Sequence, residues 1–181
     1  LNTTVQTDVA QINELSSQAA NLNQQLVQQT AAGQNSGTVS DQLNEVESQL
    51  ASLTNISVVH TAQGDSISTG NGTALVLGSQ SYVLKTSTGS DGNVNVLDSN
   101  GTDITSTLSS GDLGGSLEVR DTQIPSLLNS LDTLANEFAT AFNSAQAQGY
   151  DENGNAGTAL FSIPATVAGS AASISLTTTN G

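Results

Sequence analysis

From Asn2 to Ala32 the chain contains no glycine or proline, and its apolar residues recur with a seven-residue period. Val5, Ile12, Ala19 and Leu26 share one heptad position, and Leu15 and Leu22 follow three residues after their predecessors, which predicts a helix with an apolar seam. Asp8 and Gln29 occupy that second position at the two ends, so the seam is suited to packing against the chain's own helices rather than to a long coiled coil. The Gly33 to Gly37 stretch, GQNSG, stops the helix. Thr38 and Asp41 then have capping-box spacing, with Ser40 as an alternative cap, and Leu43, Val46, Leu50 and Leu53 supply a second stripe. So short a connection predicts an antiparallel pair.

At Ile56 the period changes. Ten of the chain's 17 glycines lie between Ile56 and Gly115, spaced as turns, and the apolar segments between them at 56–60, 66–69, 74–77, 81–84 and 94–97 predict a small antiparallel meander. The runs at 75–77 and 82–84 require one covered sheet face, most simply by a helix further along. That helix is the stretch on which the other elements are expected to converge. Within Gly111 to Gly149, residues Ile124, Leu128, Leu131, Ala135, Phe138, Phe142 and Ala145 recur at alternating steps of four and three, and Leu127, Leu134 and Ala141 widen the stripe. Phe138 is expected in the core between this helix and the two N-terminal ones. Pro125 either opens the helix from its first turn or kinks a longer helix that begins near Ser116, and the helical spacing of Leu113, Leu117 and Ile124 favours the kink. The tail after Gly149 is turn material, followed by an alternating Ile174/Leu176 patch that reads as the first strand of something cut off; with no initiator Met at Leu1, the sequence reads as an excised middle fragment.

The fold class expected is α+β: a three-helix elongated bundle, two N-terminal antiparallel helices plus one central C-terminal helix, with a small antiparallel sheet inserted between helices 2 and 3. The domain division expected is 1–160 for the helical part, with its meander at about 56–112, and 161–181 for the truncated start of a further β domain.

Charge narrows the partners. Sixteen acidic residues stand against Lys85 and Arg120 alone, a formal net charge of −14, so the chain is unsuited to neutralising phosphates or an anionic membrane surface, and proteins are the expected partners. No run approaches the roughly 20 apolar residues needed to cross a bilayer, and there is no cysteine.

The candidate chemistry is sparse. Asp151, Asn153 and Asn155 match the first three positions of a calcium-binding EF-hand loop, but Ala156 stands where that loop needs Gly and Ser162 where it needs Glu. Asp91, Asn93 and Asn95, and Asp98, Asn100 and Asp103, read as turn residues. His60, the single histidine, lies at a strand end with no carboxylate motif beside it, so no catalytic role is expected; nor do Glu45 and Glu47, or Asp151 and Glu152, come with a nucleophile. No metal, no cofactor and no enzymatic activity are expected. Arg120 differs: beside Asp121 and after Leu117, its guanidinium is placed to tie carboxylates or carbonyls across the helix and sheet junction.

Gly111, Leu113, Gly114, Gly115, Leu117, Arg120 and Asp121, then Phe142-Asn143, Gly149-Tyr150-Asp151, Gly154, Gly157 and Leu160-Phe161, resemble the flagellar hook-associated protein 1 family. Val9 to Leu15, Ala19, Leu22-Asn23 and Leu26, and Gly70-Asn71-Gly72 with Leu75 to Gly78, extend the resemblance over most of residues 5–161. One departure is clear: where the family usually carries LDQRD, this chain has Ser40-Asp41-Gln42-Leu43-Asn44, so Leu43 replaces the motif arginine. The resemblance implies a helical shaft domain with outward β domains. It also implies a structural role between the hook protein and the second junction protein, export through the flagellar type III apparatus, a chaperone at the C-terminus, and polymerising terminal helices outside this sequence. On that basis the fragment alone is expected to be a monomer. The competing reading is a secreted adhesin-like binding module without catalytic activity.

Overall fold

A computed structural model describes residues 1–177 of the chain, which fold as two compact units, one Leu1–Arg120 and the other beginning at Asp121. The architecture is α+β, as the periodicities predict. The division between the two units falls at 120/121, inside the helical stretch.

The first unit opens with α1 (Asn2–Ala31) and α2 (Gly37–Leu53). Residues 18–25 of α1 share a groove with 38–49 of α2, and residues 11–15 share one with 49–53, so the two helices run antiparallel. The α1 seam is buried at Val5, Ile12 and Ala19, with Leu15, Leu22 and Leu26 partly buried against the same core. A second α1 stripe, Val9, Ser16, Ala20 and Asn23, is buried as well. The α2 stripe of Leu43, Val46, Leu50 and Leu53 closes on it, and Leu43 at 2% exposure fills core where the family motif has a charge. Neither Thr38 nor Ser40 caps α2: the helix starts one turn earlier, after Ser36, where Asn35 Oδ1 accepts the Gly37 amide at 2.9 Å.

The glycine-punctuated region forms two sheets. β1 (Ile56–Thr61), β2 (Gly64–Thr69), β3 (Ala74–Leu77) and β4 (Gln80–Ser81) make an antiparallel meander in the order β1-β2-β3-β4. β5 (Lys85–Thr88) and β6 (Val94–Leu97) form a separate ribbon. The predicted strand at 81–84 is therefore mostly connection; Leu84, almost fully buried, is the residue that gave it a strand's apolarity. Cross-strand partners Val58, Ile67 and Val76 carry the covered face, and within the first unit α1 is the helix that lies along both sheets.

The third helix of the bundle is α3 (Gly111–Glu118), whose Leu113 and Leu117 are in the core. Its glycines are positional. Gly111 has φ +72°, and a Cβ there would overlap the backbone of Leu53 and Thr54; one at Gly114 would overlap the backbone of Ser109. Gly115, by contrast, faces open space.

Helical backbone continues through a π-type turn at Val119–Gln123 into α4 (Ile124–Ala147). Pro125 cannot donate to the carbonyl of Asp121 and its ring would press on it, so the turn just before the proline widens. In the second unit, α5 (Ser170–Ser173) and the two-residue pair β7 (Phe161–Ser162) and β8 (Ser175–Leu176) lie on α4. Of the predicted onset of a further β domain at 161–181, residues 178–181 lie outside the described residues.

Candidate functional site

Four asparagines hold backbone with side-chain amides. An amide side chain has the donor and acceptor of a peptide unit, so one asparagine can satisfy an N–H and a C=O together. Asn2 of α1 donates to Gly92 O (2.9 Å) and accepts from Val94 N (3.1 Å); Asn13 donates to Leu84 O (2.9 Å) and accepts from Leu84 N (2.8 Å). Asn23 donates to Asp65 O and Gly78 O and accepts from Asp65 N, each at 2.8 Å. Spacings of 11 and 10 residues are close to three helical turns, so one side of α1 presents an amide to each successive part of the sheets. In the second unit Asn143 does the same on α4, donating to Phe161 O (2.8 Å) and accepting from Phe161 N (2.9 Å).

Arg120 completes the Asn2 clamp. It is 8% exposed, and Nη1 donates to Val94 O at 2.7 Å and to Asn2 Oδ1 at 3.1 Å, joining the end of the α3 segment to β6 and the first turn of α1. A charge so buried is tolerable because carbonyl oxygens receive it. Hydrogen bonding from Asn93 and, less strongly, the nearby Arg120 charge hold the Asp91 carboxyl below its ordinary value.

The sequence gives no carboxylate next to His60, but hairpin register supplies one: His60 pairs with Asp65 across β1 and β2, and Nδ1 lies 2.7 Å from Asp65 Oδ1. Glu47 of α2 faces Asp65, and burial followed by the Asp65 charge pushes its carboxyl up to about 7. Asp8 on α1 is likewise raised, first by burial and then by Asp112. The remaining acidic turns are occupied by their own backbone: Asp98 Oδ1 accepts from Asn100 N and Thr102 N, and Asp151 Oδ1 from Asn153 N and Asn155 N. Among the described residues, no three His, Asp or Glu side chains are grouped as metal ligands, and no helix is long and apolar enough to cross a membrane.

The candidate motif residues separate. Gly111, Leu113, Gly114, Leu117 and Arg120 build the junction of α3 with α1, α2 and the sheets, and Asp121 opens the second unit. Phe138, Phe142 and Asn143 belong to α4. Phe138 is not core: it is 48% exposed, and its ring packs on Phe142 (centroids 4.7 Å apart) and Phe161 (5.6 Å). Ala139 is the buried apolar residue of α4, whereas Ile124, Leu127, Leu128, Leu131 and Leu134 are exposed, Leu134 to 64%. This stripe, expected as the face on which the other elements converge, is therefore open within its own unit.

The chain is similar to known flagellar proteins. The model of the flagellar hook-associated protein FlgK helical domain matches residues 1–161. Flagellar hook-associated protein 1 of Salmonella typhimurium and of Salmonella typhi are each 33% identical over 180 residues, covering 90% of this chain and 31% of theirs. The solved flagellar hook junction protein FlgK from Burkholderia pseudomallei superposes with a TM-score of 0.72 at 29% identity, over 90% of this chain and 31% of that one. The chain thus spans about a third of the length of the relatives it matches. With the family model covering the whole helical core and its motif junction, the chain belongs to the flagellar hook-associated protein FlgK family.

Proposed function

We propose that this chain is a structural segment of the bacterial flagellum at the hook-filament junction, adapting hook to filament, with the hook protein and the second junction protein as neighbours. The observation that carries this reading is the family match over residues 1–161 together with the same fold in a hook junction protein. The physical character of the surface supports it. Asn23, Arg120 and Asn143 are spent on holding backbone, which suits a load-bearing, non-enzymatic part. The exposed stripe of α4 is available for helix packing within the axial assembly. Export through the flagellar type III apparatus with a C-terminal chaperone, and a further β domain from about residue 161, complete the proposal.

The test is complementation of a flagellated strain whose own junction protein is deleted. The full-length protein should restore filaments on hooks and swimming, and the triple substitution Leu127→Asn, Leu131→Asn, Leu134→Asn should leave hooks bare or shed filaments under shear. Filaments that stay attached at the normal frequency without the protein would refute the role.

A further inference from the structure

The seam between α2 and the β1-β2 hairpin contains three titratable groups in a row from three elements. His60 of β1 meets Asp65 of β2 at 2.7 Å, and Asp65 is 7% exposed. Glu47 of α2 also interacts with Asp65, and its Oε1 is buried without a hydrogen-bond partner. The backbone of Asp65 cannot retreat, because Asn23 holds both its N–H and its C=O from α1 at 2.8 Å. Two ionised carboxylates are acceptors only and cannot hydrogen-bond to each other. The arrangement becomes satisfied when one proton resides between them, with Glu47 donating to Asp65 and Asp65 accepting from His60 as well.

We propose that this row is a proton-operated latch that fastens the β1-β2 hairpin to α2, closed in mild acid and loosened when the proton leaves Glu47 for solvent. The charged groups that face Glu47 are Asp65 from β2 and His60 from β1; α1 contributes the neutral Asn23. Asp8 and Asp112 interact with each other and are not part of the row. Both displaced titrations act in the same direction. Glu47 is raised, so its contribution is complete below its ordinary value of 4.5 and is lost as pH rises through about 7. His60 is raised above 6.5 by its bond to Asp65 and then by that residue's charge, so its contribution is complete below 6.5 and disappears as pH rises through the raised value. The latch therefore weakens across neutrality, in the opposite direction to the acid weakening that ordinary paired carboxylates give.

The experiment is carboxyl-detected NMR on the whole chain, with hydrogen exchange of the β1 amides as the mechanical readout. The Glu47 carboxyl should titrate near 7 instead of 4.5. Protection of the β1 amides, corrected for intrinsic exchange, should fall roughly tenfold between about pH 5.5 and 8.5. In Glu47→Gln, which keeps a neutral donor, that fall should shrink to the smaller part due to His60, and His60→Asn should remove that remainder from the double variant. A Glu47 carboxyl that titrates in the ordinary range overturns the proposal, a measurement on the native chain that is unaffected if the variants do not fold. An unchanged pH dependence in a folded Glu47→Gln overturns it equally.

Discussion

The two units use the same helical periodicity and reach opposite ends. In the first, stripes on α1, α2 and α3 meet each other and the sheets, and Ile12, Leu50, Leu75 and Leu113 are fully buried. In the second, α4 carries the most continuous apolar stripe of the chain, yet Leu127, Leu128, Leu131 and Leu134 remain open, while α5 and the β7-β8 pair contact the helix at Asp132, Asn136, Phe138 and Asn143. A 3.6-residue pattern specifies that a face wants a partner. It does not specify which segment supplies it, because that depends on complementary area elsewhere.

The largest effect that tests this contrast is loss of a core side chain in the first unit. Leu50→Ala should cost about 3 to 4 kcal/mol in denaturant unfolding, whereas Leu134→Ala in the second should cost less than about 1 kcal/mol. Equal losses would mean that α4 has a core of its own. Next comes Arg120→Met, which keeps the stem but removes the donor to the carbonyl of Val94 and to Asn2 Oδ1; a loss of about 2 to 4 kcal/mol is expected, with no rescue by lysine. Asn23→Ala should follow at about 2 kcal/mol, while the equivalent Asn143→Ala should show as faster hydrogen exchange around Phe161 with little change in global stability. Phe138→Ala should cost less than about 2 kcal/mol, against the 3 to 5 kcal/mol of a fully buried aromatic. The smallest effect treats both units alike. Asp98 is depressed chiefly by the Thr102 amide, Asp103 by the Thr105 hydroxyl and Asp151 by the Asn155 side chain. Their turns should therefore hold above the ordinary value of 3.8 and open as pH falls through the lower folded values, visible as late-titrating carboxyl resonances.

The limits of the sequence reading follow from the same contrast. Val5, Ile12, Ala19 and Leu50 are recognisable because burial of a periodic stripe is a local property, and the glycines between Ile56 and Gly115 mark most turns correctly. Phe138 was placed in the core because the α4 stripe was assumed to face α1 and α2; Leu113 and Leu117 of α3, only a few turns earlier, fill that position. The asparagine clamps escaped notice because asparagine on a helix ordinarily signals a solvated face. The signal was present in Asn2, Asn13 and Asn23 at three-turn intervals beside the apolar seam, each aligned with it rather than opposite it. The His60-Asp65 pair needed hairpin register, which the two-residue turn at Gln63 leaves undetermined until strand ends are known.

The clamps have one more consequence, concerning ionic strength. Neutral amides and a single arginine join α1 to the sheets, so dissolved ions have little to screen at those joints, while the chain as a whole carries a formal net charge of −14, most of it on exposed acidic residues that repel one another. Added salt should relieve the shell without loosening the joints. A domain fastened in this way holds its shape as firmly in brine as in fresh water, and is if anything softer in the fresh.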